Sequence, residues 1–171
     1  MASFKYQLDP AVLKAVEDKV RALALAKSPT GECTVRMGTA QDLGYANAEW
    51  VYTTTVKGGY ENFVAAYTIP NNTYVAIVAV FDYTPVATPP AATTVMIQAG
   101  GSWKRLWTLE DSKCQTPTGL MFKALDEDEV IILADSTVVN AAMWSNAAGV
   151  AENIGFVLVV GEPKGRTIDK S

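Results

Sequence analysis

Eight consecutive residues, Tyr74-Val-Ala-Ile-Val-Ala-Val-Phe81, carry no charge, no glycine and no proline. They follow a turn signal, Ile69-Pro-Asn-Asn-Thr73, and stop at Asp82-Tyr-Thr-Pro85. The run is far shorter than the roughly 20 residues of a membrane-spanning helix, and β-branched and aromatic types dominate it, so it predicts a strand buried on both faces. Strict alternation puts Val75, Ile77, Ala79 and Phe81 on one face and Ala76, Val78 and Val80 on the other. A sandwich buries only one face of an ordinary strand. The second face therefore needs its own cover: a helix, a long loop or another subunit.

The sequence offers one clear helix for that role. Asp9 is a good N-cap and Pro10 fits the first helical position, where a missing N–H costs nothing. From Ala11 to Lys27 the apolar residues Val12, Leu13, Val16, Val20, Leu23 and Ala24 fall near one stripe, with Lys14, Glu17, Asp18 and Arg21 mostly off it. Ser28-Pro-Thr-Gly31 ends it. Packing on its own sheet is the commoner fate of such a helix, packing on a neighbour the rarer one. Residues 1–8 alternate weakly, as a short edge strand or an extended arm.

Beyond Gly31 the period changes to that of strands. Strands are expected at Cys33–Met37, Glu49–Val56, Phe63–Ile69, Thr94–Gln98, Trp103–Leu109, Leu120–Leu125, Val130–Leu133 and Ile154–Val160, and more weakly at Thr137–Ala142. Val130–Leu133 and Ile154–Val160 read as further buried strands. Lys57-Gly-Gly-Tyr60 reads as a hairpin-like turn, as does Gly100-Gly-Ser102. Thr84–Ala92, with three prolines, reads as an extended loop. Trp144–Asn153 is expected to loop over the surface, and 161–171 to form a polar tail. Helices do not alternate with strands, so a parallel α/β fold is disfavoured. The expected class is all-β, an antiparallel jelly-roll sandwich or single β-barrel with one N-terminal α-helix, in a single domain over 1–171, of which 1–28 are the arm and helix.

Composition narrows function by removal. The 171 residues include no histidine, which removes Ser-His-Asp and Cys-His centres and histidine-ligated zinc. Cys33 and Cys114 are too few for a disulfide scaffold and too far apart for a metal motif; two small thiols are the simpler reading, and a single bond between them stays open. The net charge of −4 comes with scattered Lys and Arg, which argues against an electrostatic grip on nucleic acid. Hydrophobic residues make up 49% of the chain, enough to fit burial of surface between copies. No signal-peptide pattern and no membrane-helix pattern occur, so synthesis in a cytoplasm without a cleaved signal is expected. The sequon at Asn71 is read as chance.

Two clusters invite a functional reading. Asp126-Glu-Asp-Glu129 suggests calcium or a carboxylate-pair hydrolase, but its spacing fits neither, and a solvated turn is the simpler reading. A carboxylate pair from distant positions, such as Glu49 with Asp82, stays open. Trp50, Trp103, Trp107 and Trp144 either stack on sugar rings or fill core and subunit contacts. Trp103-Lys-Arg-Leu-Trp107 is the best surface-patch candidate, with Trp103, Arg105, Trp107 and Leu109 on one face of a regular strand. No catalytic, cofactor-binding or metal-binding residues are expected.

The helix at 10–27, the strands around 74–81, 130–133 and 154–160 and the loops between them resemble the single β-barrel (jelly-roll) coat proteins of viruses. The chain looks most like the small major capsid protein of the tailless, membrane-containing icosahedral phages of Thermus. The resemblance implies a structural virion protein, made in the host cytoplasm, that assembles as a homo-oligomer (a dimer or larger). It implies a second capsid protein and an internal viral membrane as neighbours, with no direct nucleic-acid contact and no small-molecule substrate. On that basis Phe4, Tyr6, Val12, Val16 and Val20 are expected to anchor arm and helix on a neighbouring subunit, with Trp103 and Trp107 as further subunit-interface residues. Deleting 1–28 should then weaken assembly more than it unfolds the barrel. The alternative is a β-sandwich binding module for carbohydrate or a host surface, of the phage fibre or adhesin type.

Overall fold

The computed structural model describes residues 8–45, 52–57, 60–82, 92–110, 121–145 and 148–163. For 52–57, 60–61, 92–93, 104–110, 121, 145 and 148–153 the backbone alone is described. Among the described residues, Leu8 precedes helix α1 (Pro10–Lys27), and ten strands follow: β1 (Cys33–Met37), β2 (Tyr52–Lys57), β3 (Tyr60–Thr68), β4 (Tyr74–Asp82), β5 (Ala92–Ala99), β6 (Ser102–Glu110), β7 (Met121–Ala124), β8 (Ile131–Leu133), β9 (Val138–Ser145) and β10 (Ala148–Pro163).

The strand order is that of a jelly roll. In the first sheet, β1 and β2 both lie along one side of the long β10, β4 lies along its other side, and β7 and β8 share the far side of β4. The second sheet runs β3-β9-β5-β6. Taking β1 with β2, and β7 with β8, as interrupted single strands leaves eight positions in chain order. The antiparallel ladders then join first to eighth, second to seventh, third to sixth and fourth to fifth. That is one long hairpin rolled onto itself, the double-sheet solution by which a β domain limits exposed edges.

The doubly apolar run lies where the sequence demands, at the centre of the first sheet, with every residue from Tyr74 to Asp82 buried. Its alternation is not strict, however. Val157 of β10 pairs with Ala79 and Leu158 with Ile77, so Val78 is an extra residue on β4. The β8 ladder ends at Ile77 and the β7 ladder begins at Ala79, so the bulge falls where that neighbouring strand is interrupted. Past the bulge the faces exchange. Val75, Ile77 and Val80 enter the core between the sheets, while Tyr74, Ala76, Val78, Ala79 and Phe81 face the other way. The expected grouping of Ala79 and Phe81 with Val75 and Ile77 is corrected accordingly.

The cover over that second face is α1. The Asp9 carboxylate accepts the Ala11 N–H at 2.9 Å and caps the helix, whose first residue is Pro10, and the Ser28 N–H donates to the Leu25 carbonyl at its end. Leu13, Val16, Val20 and Ala24 recur every three or four residues and bury against Tyr74, Ala76, Val78, Phe81, Val157 and Val159. The helix lies so close to β10 that a side chain at Gly161 would overlap Val20. Likewise, Gly155 leaves room for the ring of Phe81. Between the sheets, Val95, Ile97, Leu133, Val139, Ala141, Met143, Ile154, Phe156, Leu158 and Val160 form the main core, which Phe63 joins at a ring-centroid distance of 5.6 Å from Phe156.

Four local expectations change. β2 and β3 belong to different sheets and form no hairpin with each other; Gly58 and Gly59 between them lie outside the described residues. The span 148–153, expected as surface loop, pairs with β2 because β10 is long enough to carry two successive partners. β10 also runs on through Gly161, Glu162 and Pro163, which pair with β1 and are buried, so the polar tail starts later than expected. β8 is only half-buried apart from Leu133, as befits an edge.

Candidate interaction surface

Chain direction in the roll places the turns at 69–73, 100–101 and 134–137 at one end of the barrel. They are tied to one another. The Ile69 N–H donates to the Thr137 carbonyl at 2.9 Å and the Ser136 N–H returns the bond to Ile69 at 2.9 Å. Ser136 Oγ bonds Asn71 Oδ1 at 2.8 Å, the Asn72 N–H meets Asp135 Oδ2 at 3.1 Å, and the Gly100 N–H meets the Val138 carbonyl at 3.0 Å. Asn72 and Ser136 take left-handed conformations, with φ of 61° and 62°, in these tight turns. Beside them a cleft of about 540 Å³ opens between the two sheets, lined by Ala99, Gly100, Ser102, Val130–Ala134 and Thr137.

The outer face of the second sheet begins at this end. Gly100 and Gly101, at φ 61° and 82°, make the tight turn between β5 and β6 that the sequence predicts. Immediately after it stands Trp103, 58% exposed. The ladder shifts between Ile97 and Gln98, so Trp103 pairs with Gln98 while Arg105 pairs with Ile97, leaving Lys104 as an extra residue. The even spacing on which a common face for Trp103, Arg105 and Trp107 rests is thus broken. Gln98 pairs in turn with Asn140 of β9. Asn140 Nδ2 donates to Gln98 Oε1 at 3.4 Å, Gln98 Nε2 to the Gly101 carbonyl at 3.2 Å, and the Ala66 N–H to Asn140 Oδ1 at 2.8 Å. Ala66 has φ 49°, on the irregular stretch where the β3 ladder shifts between Val64 and Tyr67. Val138 is 42% exposed, whereas Met96 and Trp144 are half-buried.

The strongest charge arrangement serves the frame. Arg36 of β1 places Nη2 at 2.7 Å and Nη1 at 3.0 Å from the two Asp42 oxygens, with Nε at 3.3 Å from Glu162 of β10. Asp42 also accepts the Thr39 N–H at 2.8 Å, closing the 3₁₀ turn Ala40–Leu43. The hydrogen bond to Asp42 raises the Arg36 pKa further above its ordinary value, burial opposes it, and the charges of Asp42 and Glu162 add to the rise.

The expected interface residues separate. Val16 and Val20 are wholly buried in their own chain, and half-buried Val12 packs against the same cluster. Their assignment to a neighbouring subunit is corrected for Val16 and Val20, because the doubly apolar β4 takes their side chains. Phe4 and Tyr6 lie outside the described residues, as do Trp50, Cys114 and Glu49; the side chain of Trp107 does too. Asp82 is buried. The carboxylates of Asp126, Asp128 and Glu129 gather within 4.8 Å of one another on an exposed turn that Glu129 closes by accepting the Asp126 N–H at 3.4 Å. Cys33 is half-buried, its thiol directed at the Arg21 carbonyl at 3.7 Å. Gln98 and Asn140 escape sequence reasoning because only the ladder register brings residues 42 positions apart side by side.

No protein-family model matches the chain, and no curated protein does. Among solved structures, the insecticidal δ-endotoxin Cry8Ea1 of Bacillus thuringiensis is similar at 8% identity and a TM-score of 0.36, over 64% of this chain and 19% of that one. The VP2 subviral particle of infectious bursal disease virus matches at 15% identity and a TM-score of 0.40, over 78% of this chain and 34% of that one. The virus-like particle of the Macrobrachium rosenbergii extra small virus matches at 9% identity and a TM-score of 0.37, over 78% and 80%. The chain therefore spans a fifth to a third of the first two. These likenesses, to a toxin and two virus coats alike, are too remote to say what the chain does.

Proposed function

We propose that this protein is a structural virion protein, a coat subunit whose single jelly roll tiles with copies of itself into an icosahedral shell. The observation that carries the reading is architectural: a rolled hairpin of eight strand positions, stiffened on one sheet by its own helix. A shell subunit needs a rigid block with surfaces left over for lateral contacts, and a jelly roll is one established form of such a block. The support is thus by analogy of fold. On this reading the protein does no catalysis and works as a homo-oligomer within a virion. The finer assignment, to the small capsid protein of membrane-containing Thermus phages, adds a second coat protein and an internal membrane as neighbours.

Size-exclusion chromatography with light scattering, followed by electron microscopy, tests the reading on the purified full chain. Oligomers that grow into closed particles with rising protein concentration are expected. A monomer at every concentration and salt condition overturns it. Co-purification with a second coat protein from virions tests the finer assignment.

A further inference from the structure

We infer that the row Trp103–Gln98–Asn140 on the outer face of the second sheet is a binding platform for a neutral saccharide. The inference goes beyond shell assembly and does not depend on it. An exposed indole beside the β5–β6 turn offers a flat apolar face on a side chain with few rotatable bonds to immobilise. Neighbouring strands are about 4.8 Å apart, so the three side chains span roughly 10 Å across β6, β5 and β9. The two amides are already oriented. Asn140 is held through its oxygen by the Ala66 N–H and through its nitrogen by Gln98, which is itself held by the Gly101 carbonyl.

Each amide nitrogen has two hydrogens and each oxygen two lone pairs. The bonds described use one hydrogen on each nitrogen and one lone pair on each oxygen, so donors and acceptors remain in fixed positions beside the indole. A sugar ring presents the matching pair of surfaces, C–H groups on its face and hydroxyls around its rim. Trp103, Gln98, Asn140 and Ala66 are all uncharged, which suits a neutral ligand. The left-handed Ala66 fits the same picture, because the irregular β3 backbone there turns its N–H onto Asn140.

Calorimetric titration of the full chain with hexasaccharides of β-1,4-linked glucose, β-1,4-linked N-acetylglucosamine and α-1,4-linked glucose tests the inference. At least one is expected to bind at millimolar concentration or below. Trp103→Ala should weaken that binding at least tenfold and Gln98→Ala severalfold, while Leu23→Ala on the exposed side of α1 leaves it unchanged. All variants should keep the parent's circular dichroism spectrum and melting temperature. Failure of all three sugars to bind, or binding indifferent to Trp103→Ala, overturns the inference. So does a Trp103→Ala variant that dissociates the oligomer, which would make the row a subunit contact. The oligomeric state of the parent chain is a separate readout, so this inference and the shell reading fail independently.

Discussion

The two sheets of this jelly roll solve opposite surface problems. The outer side of the first sheet is apolar, with Tyr74, Ala76, Val78, Ala79, Phe81, Val157 and Val159 all buried under α1. The second sheet has half-buried Thr94, Met96, Gln98 and Asn140 alternating along β5 and β9 with buried Val95, Ile97, Ala99, Val139 and Ala141. Strict alternation lets a strand face water on one side; its loss obliges the chain to provide a lid. The helix therefore packs as part of the core on the first sheet, and among the described residues the outer face of the second sheet is the more polar and more open of the two.

The sharpest way to break this contrast is to remove the lid. Deleting 1–28 strips four buried helix residues, Leu13, Val16, Val20 and Ala24, from the first sheet. At roughly 1.5–3 kcal/mol for each larger apolar side chain, the loss approaches the whole stability of an ordinary domain. The expected outcome is an unfolded or aggregated protein by circular dichroism and light scattering, in place of a stable barrel defective in assembly. A soluble, cooperatively melting truncation would show that the lid is optional. A finer cut compares one aspartate on each sheet. Val159→Asp puts a charge beneath the helix and should cost more than about 4 kcal/mol in denaturant unfolding. Met96→Asp on the half-open face should cost about 1 kcal/mol or less. Equal costs would erase the distinction between the faces.

Much of this architecture was readable from the residues. The charge-free run at 74–81 announced a strand needing two covers, and Asp9-Pro10 with the stripe at 13, 16, 20 and 24 announced the helix that supplies one. Hidden from sequence were features set by register. The bulge at Val78 exchanges the faces of β4, yet Val78 resembles its neighbours in every local property. The second partner of β10 makes a strand of 148–153, whose small and polar residues have weak β preference; tertiary pairing overrode propensity there. The surface row was half visible. Trp103 stood out as an exposed-patch candidate, but the neighbours that make it a chemical site come from β5 and β9 through ladders alone.

The Arg36 cluster gives a smaller and independent effect, because it joins β1, the 3₁₀ turn and β10 without touching the lid. Arg36→Ala leaves Glu162, only 6% exposed, without that cation. Arg36 itself is more than a third exposed, so solvent screening discounts the loss to about 1–2 kcal/mol. Thermal melts of the variant should show a modest drop with unchanged cooperativity. A loss as large as that of Val159→Asp would mean that the β1 edge is held by charge as firmly as the sheet is held by its lid.

The smallest expected effect distinguishes an apolar lid from an electrostatic one. Lys19 Nζ lies 3.9 Å from Glu127 Oε1, the ion pair that ties α1 to the turn between β7 and β8, and both side chains are more than half exposed. Such a pair contributes at most about 0.5 kcal/mol, and salt screens it further. Lys19→Ala should therefore shift the denaturant midpoint only slightly, and raising the salt concentration should leave the wild-type melting temperature almost unchanged. Apolar burial gains from exclusion of salt at the protein surface, whereas an exposed ion pair loses to it. A steep salt-dependent loss of stability, abolished by Lys19→Ala, would assign the helix's hold to charge and remove the apolar face as the reason for a lid.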